Sequence, residues 1–214
     1  VTLYVPLPVT KIAWWNMAPM PFIELSPDDK QILLSLARES IQVRLLFERD
    51  LRIDELVFSP ALQQQASSFI TLHKKNKLRG CIGALQAREP LVIDVVHNAA
   101  ASAFDDPRFP PVTLDEEPEL QIKISVLTSP TPLIFTSEQD LLAQLVPDKD
   151  GLIIEVGAHR ATFLPSAWNS LPGKIEFLEQ LKLKAELPAV FWSDDIKAWR
   201  FQTLCFQEPT CKNR

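Results

Sequence analysis

Glycine and cysteine are both scarce in this chain: five and three residues respectively, among 214. No phosphate-binding glycine loop and no Gly-x-Ser-x-Gly string occurs, so nucleotide- and hydrolase-type motifs are unsupported. Cysteines 81, 205 and 211 are odd in number and unevenly spaced, which is no disulfide framework and points to a reducing cytoplasm. The three histidines, His73, His97 and His159, share no metal-ligand spacing, so no metal is expected. No apolar run approaches the roughly 20 residues of a membrane span, and no short-period repeat or low-complexity linker is visible. A net charge of −5 argues against nucleic-acid binding, which needs a cationic surface. One local exception, Lys74, Lys75, Lys77 and Arg79, reads as a solvated hairpin tip. The opening VTLYVPLPVTKIAWWNMAPMPF lacks a basic segment and is broken by Pro6 and Pro8, so it resembles neither a signal peptide nor an amphipathic anchor. Its first methionine is Met17; residues 1–16 read as an upstream extension, and 1–21 as poorly ordered.

What is present is ordinary for a globular protein with a sizeable core: 46% apolar and 23% charged residues. LSPDDKQILLSLARESIQVRLLF opens as a helix, with Ser26 as cap, Pro27 in the first position, and Asp28 and Asp29 at the positive end of the dipole. Ile32, Leu33, Leu36, Ala37 and Leu45 give it one buried face. FITLHKKNKLRGCIGAL is a hairpin turning at Lys75-Asn76. EPLVIDVVHNAAASAF is a helix that DDPRFPPV must break. ELQIKISVL alternates as an antiparallel strand with one wet face. Beyond it come a short helix capped by Thr136 or Ser137, a hairpin turning near Gly157, a helix ending before Pro188, and a last strand, IKAWRFQTLCF. Without regular βαβ units the order predicts an α+β fold with helices packed on an antiparallel sheet. Its most plausible internal seams, Pro130–Pro132 and the loop 106–111, do not amount to domain boundaries.

In order along the chain stand LRGCIG, FDDPRFPPVT, ISVLTSP, DGLIIE, RATFLPSAW and FLEQLKLKAELP. Together they resemble the AMMECR domain family, whose bacterial members are called AmmeMemoRadiSam system protein A, over about residues 24–206. The resemblance implies a single domain over 22–207, with a main lobe and a smaller one, followed by a tail at 208–214. It also implies radical-SAM and Memo-like proteins as partners. It implies no particular reaction and no known cofactor, since none is established for the family. Glu186 replaces the glycine of the family's KAGLP pattern, which puts that helix ending in question. The cysteine that some relatives carry in the same helix is missing from QLKLK, which speaks against a redox pair with Cys81.

LRGCIG places two of the five glycines and one of the three cysteines in four consecutive positions. By strand parity Arg79, Cys81 and Gly83 share one face, while Leu78 and Ile82 enter the core. One reading is a pocket opened by Gly80 and Gly83, with Cys81 as a reactive or ligand-contacting thiol. Arg79 then lowers the thiol pKa or holds an anion. The other reading makes Cys81 a small apolar filler, with glycines that let a helix lie close. In DDPRFPP, Asp105 or Asp106 can cap a turn, Arg108 can pair with either or reach a ligand, and Phe109 can anchor the loop on the core. Asp94 and His97 read as a surface pair, and Trp168, Trp192 and Trp199 as core or interface anchors. Two functional classes stay open: a component of a modification pathway that uses the Cys81 surface, and a non-catalytic binding module in which Cys81 is structural.

Overall fold

The structure, a computed structural model, describes residues 23–209. The expectations for residues 1–21 and for Cys211 lie outside the described residues.

At Ser26 the helix-start signals act together. Its hydroxyl accepts from Asp29 N–H at 3.1 Å, and the Asp29 carboxylate accepts from Ser26 N–H at 3.0 Å, a reciprocal capping box. Helix α1 runs Pro27–Phe47 and buries Leu33, Leu34, Ala37 and Ile41. Ile32, expected on that face, is 37% exposed because it flanks the Leu33–Ala37–Ile41 stripe. A 3-10 turn, Glu55–Val57, and the short α2, Pro60–Gln63, lead into β1, Ser68–Lys74, and β2, Lys77–Gly83. Lys75 and Asn76 make the hairpin turn with φ of 51° and 62°, the left-handed pair that matches strand twist. Next come α3, Leu91–Phe104, and β3, Leu120–Leu127. The later elements are β4, Thr131–Leu133; α4, Glu138–Gln144; β5, Gly151–Val156; β6, His159–Phe163; α5, Lys174–Lys184; β7, Lys197–Phe201; and β8, Thr203–Gln207.

These elements form an α+β fold of two compact units: 23–127 with 204–209, and 128–203. The first unit holds the sheet β2-β1-β3-β8. Ile70, Leu72, Ile122 and Ile124 pack there against Leu33, Ala37 and Ile41 of α1 and Leu91, Val95 and Ala99 of α3. The second unit holds β4-β7-β5-β6, with Leu152, Ile154, Ala161 and Ala198 packed against Leu141 of α4 and Phe177, Leu178 and Leu181 of α5. Trp168 stacks on Phe177 at 3.8 Å and donates its indole N–H to the Asp150 carbonyl at 2.7 Å. The break between units at 127/128 lies beside the Pro130–Pro132 seam.

Three local expectations need correction or completion. IKAWRFQTLCF is two strands in different sheets, because Gln202 leaves the ladder: its N–H and C=O both bond to Thr128, at 2.8 and 2.9 Å. Helix α5 ends normally despite Glu186, which adopts φ 61°. Glu186 N–H bonds the Leu183 carbonyl and Leu187 N–H the Lys182 carbonyl, both at 3.0 Å, the Schellman pattern usually closed by glycine. Glu208 is not tail: its carboxylate takes two Arg38 N–H groups at 2.7 and 2.6 Å, and its N–H bonds the Ile122 carbonyl. Among the described residues no helix is long and apolar enough to cross a membrane.

Candidate functional site

β2 is an edge strand of its sheet, and two neighbours shape it. On one side, helix α3 comes so close that a Cβ on Gly80 would lie 2.1 Å from the Ser102 carbonyl oxygen. The Ser102 hydroxyl accepts from Ile82 N–H at 2.9 Å and donates to the Ile70 carbonyl at 2.8 Å, bridging a rung between β1 and β2. Gly80 thus serves close helix–strand packing. Gly83 is bare for a different reason: a Cβ there would meet the Ser68 carbonyl at 2.3 Å and the Phe69 ring at 2.5 Å.

At the open edge, the proline-rich loop fills the place of a missing strand. Asp106 Oδ2 accepts from Cys81 N–H at 2.8 Å, and Arg108 Nη2 donates to the Cys81 carbonyl at 3.1 Å. The two side chains hold each other, with Arg108 Nη2 2.6 Å from Asp106 Oδ2 and Arg108 Nε 2.9 Å from Oδ1. Burial works to raise the Asp106 carboxyl, but the bonds from Arg108 and the Cys81 N–H outweigh it and hold it below the usual carboxylate range. Asp105 is not part of this clamp; it pairs with Arg44 of α1 at 2.9 Å. Phe109 is only half-buried and is no core anchor; its ring lies 6.0 Å from the Arg79 guanidinium carbon and 5.5 Å from that of Arg108.

The shared face expected for Arg79 and Cys81 is broken by a bulge. The register passes from Leu72↔Gly80 to His73↔Leu78, leaving Arg79 without a cross-strand partner. Cys81 lies opposite Thr71 and its sulfur is 3.3 Å from the Thr71 hydroxyl. Leu78 and Ile82 stay half-buried, outside the core, because α3 approaches the strand at Gly80 through backbone rather than side chains. Arg79 turns to Glu116, with Nε 3.2 Å from Oε1 and Nη2 2.8 Å from Oε2, and also reaches the Pro111 carbonyl at 3.3 Å. The Arg79 bonds, with help from Lys74, pull the Glu116 carboxyl down to about 2.

Of the two readings of Cys81, the buried small filler gains support and the thiolate loses it. Cys81 is 4% exposed, and burial pushes its thiol up, against weaker opposing effects of the Thr71 hydrogen bond and the Arg108 charge. The structure brings Cys81, Asp106 and Arg108 into one hydrogen-bonded group and ties Arg79 to the same loop through Pro111. Thr71, Ser102 and Glu116 also belong to the site and were missed. The acidic run DEEPE, beyond α3 from the basic hairpin tip, is the charge-complementary signal that could have found Glu116.

Other candidates separate. Lys74 and Lys75 are not merely solvated; they pair with Glu116 and Glu119 at 3.0 and 3.1 Å. Asp94 is buried and accepts from Ser68 N–H, the Ser68 hydroxyl and Asn98 at 2.8, 2.6 and 2.9 Å, while His97 pairs with Glu89. No surface pair joins them. A cleft of about 180 Å³ between α1 and α3 is lined by Ser40, Arg44, Asp50, Val96, His97 and Ala100. Among the described residues no group of three metal-ligating side chains forms.

Comparison with known proteins completes the picture. The family model described as AMMECR1 matches residues 34–206. A protein from Methanothermobacter thermautotrophicus is 35% identical over 196 residues, covering 88% of this chain and 99% of its own length. One from Thermotoga maritima is 38% identical over 153 residues, 69% of this chain and 81% of its own. The crystal structure of protein PH0010 from Pyrococcus horikoshii matches with a TM-score of 0.75 at 34% identity, covering 82% of this chain and 89% of that one.

Proposed function

Because the chain belongs to the AMMECR1 family, whose biochemical activity is not established, we propose that it is a partner-dependent component of a modification pathway. Its partners in this reading are radical-SAM and Memo-like proteins, and it works in the cytoplasm. It contributes a binding surface built on the β2 edge and the clamp loop. Arg79, Arg108 and Phe109 meet the partner, Gly80, Gly83 and Asp106 fix the shape, and Cys81 is structural.

The observation that carries this reading is the condition of Cys81. A nucleophilic cysteine needs a thiolate and an open approach. Here the side chain is 4% exposed and burial favours the neutral thiol. The clamp also spends its polar groups on the strand backbone, the mark of a shape held for recognition.

The test combines association and thiol chemistry. Mixed with a Memo-like protein from the same organism, the chain is expected to form a complex seen by size exclusion and calorimetry. Cys81→Ser should leave that complex intact, and Arg108→Ala should weaken it by about tenfold. Alkylation of Cys81 should titrate above the ordinary thiol value of about 8.5. Failure to associate overturns the partner reading; titration well below that value, with loss of pathway activity in Cys81→Ser, overturns the structural role of the thiol.

A further inference from the structure

Arg79 holds a feature that neither the clamp nor the ladder uses. It is the bulged residue of β2, and a bulge re-aims the side chain it carries. Its Nε–Nη2 edge is taken by the two Glu116 oxygens, and Nη2 also serves the Pro111 carbonyl. Nη1 is buried and has no acceptor among the described residues, on a side chain only 11% exposed. A buried N–H left unpaired is costly, and more so when the group is charged. Three hydrogen bonds fix the guanidinium plane, so Nη1 points in a set direction at no further ordering cost.

The surrounding charge selects what fits. Lys74 and Arg79 pair with Glu116, Lys75 with Glu119, and Arg108 with Asp106. Four cations against three carboxylates leave one positive charge over, which suits a monoanion better than a dianion. The Phe109 ring beside both guanidiniums gives an apolar wall for the rest of such a molecule.

We propose that Arg79 Nη1 receives the carboxylate of a small organic acid or of a peptide, held between the β2 bulge and the Phe109 ring. This goes beyond the partner reading: it shares Arg79 and Phe109 with that surface but does not require the partner. An absent Memo-like complex would leave this site standing, and an empty site would leave the partner open.

The experiment is a titration of the full chain with acetate, followed by the NMR signals of the arginine side-chain N–H groups. The expected result is a saturable shift confined to Arg79 and its neighbours; read on the Arg108 signals, it is weakened about tenfold in Arg79→Lys, which keeps the charge but loses the planar fork. Lys74→Gln, which removes a neighbouring cation that shares Glu116 Oε1 with Arg79 but leaves every Arg79 donor in place, should weaken it about two- to threefold and guards against misfolding of the first variant. Inorganic phosphate should compete no better than acetate. A short peptide compared with its C-terminally amidated form assigns the source: loss on amidation indicates a chain terminus, and equal weakness of both indicates a small acid. An Arg79 signal that does not move in acetate, or tighter binding of phosphate, overturns the proposal.

Discussion

A methyl group at Gly80 would lie 2.1 Å from the Ser102 carbonyl oxygen and 3.1 Å from its carbon. Both atoms are helix backbone and cannot rotate aside, so relief requires α3 to shift from the sheet. Gly80→Ala is expected to cost about 2–3 kcal/mol, read as a lower urea midpoint at unchanged slope. Glu186 is the converse, a side chain where none is wanted. It holds φ 61° at the end of α5, a conformation costing an L-residue roughly 1 kcal/mol that glycine avoids. Glu186→Gly should therefore stabilise the protein by about 0.5–1 kcal/mol in the same assay, and a destabilised variant would refute the cap assignment.

At the scale of elements, Asp94 joins the start of α3 to the start of β1. Burial raises its carboxyl to about 7, against the hydrogen bonds from Ser68, and the charge of Glu89 adds to the rise. The sign follows from linkage: the fold prefers the protonated acid, whose ordinary value is 3.8. The stabilisation is complete below that value, declines as pH rises through about 7, and is gone above it, with a slope of at most about 1.4 kcal/mol per pH unit. Asp94→Asn should lack this decline, as chemical denaturation at pH 4 to 8 would reveal. The sequence suggested a surface pair because Asp94 and His97 lie three apart on a helix; which flank of α3 meets β1 is a tertiary fact. Elements set by local chemistry were legible: the Ser26 cap, the Lys75-Asn76 turn, and the alternation of β3 over its first half, although Ser125, expected on a wet face, is buried. The site was less so. Counting outward from the turn pairs Thr71 with Gly80, and only the bulge at Arg79 brings Cys81 opposite Thr71. The clamp was hidden for a similar reason, since a carboxylate and a guanidinium that imitate a neighbouring strand leave no periodic trace. The division of IKAWRFQTLCF between sheets turns on the backbone of a single residue, Gln202, whose residue type gives no warning.

Across the whole molecule, the chain builds its first unit from both sides of the second. The link is concrete at Arg38, which donates to Glu208 through Nε and Nη2 and to Glu117 and the Leu120 carbonyl through its other N–H groups. Glu208 also accepts from Ile122 N–H at 2.9 Å. Glu208→Ala removes all three of these acceptor contacts, so a loss of about 2–3 kcal/mol is expected. Hydrogen exchange should place that loss on amides of α1 and β3, with those of β5 and α5 unchanged; equal loss in both units would show that they do not open separately.

The same connectivity gives a schedule for the growing polypeptide. A nascent chain paused after residue 203 already owns every strand of β4-β7-β5-β6, yet its earlier sheet still has a bare flank along β3 and an arginine waiting for its carboxylate. What the ribosome makes first is thus finished last. Until 204–208 emerge, the candidate site on β2 belongs to a sheet of three strands, and a factor that recognises the open β3 flank would find it only on unfinished molecules.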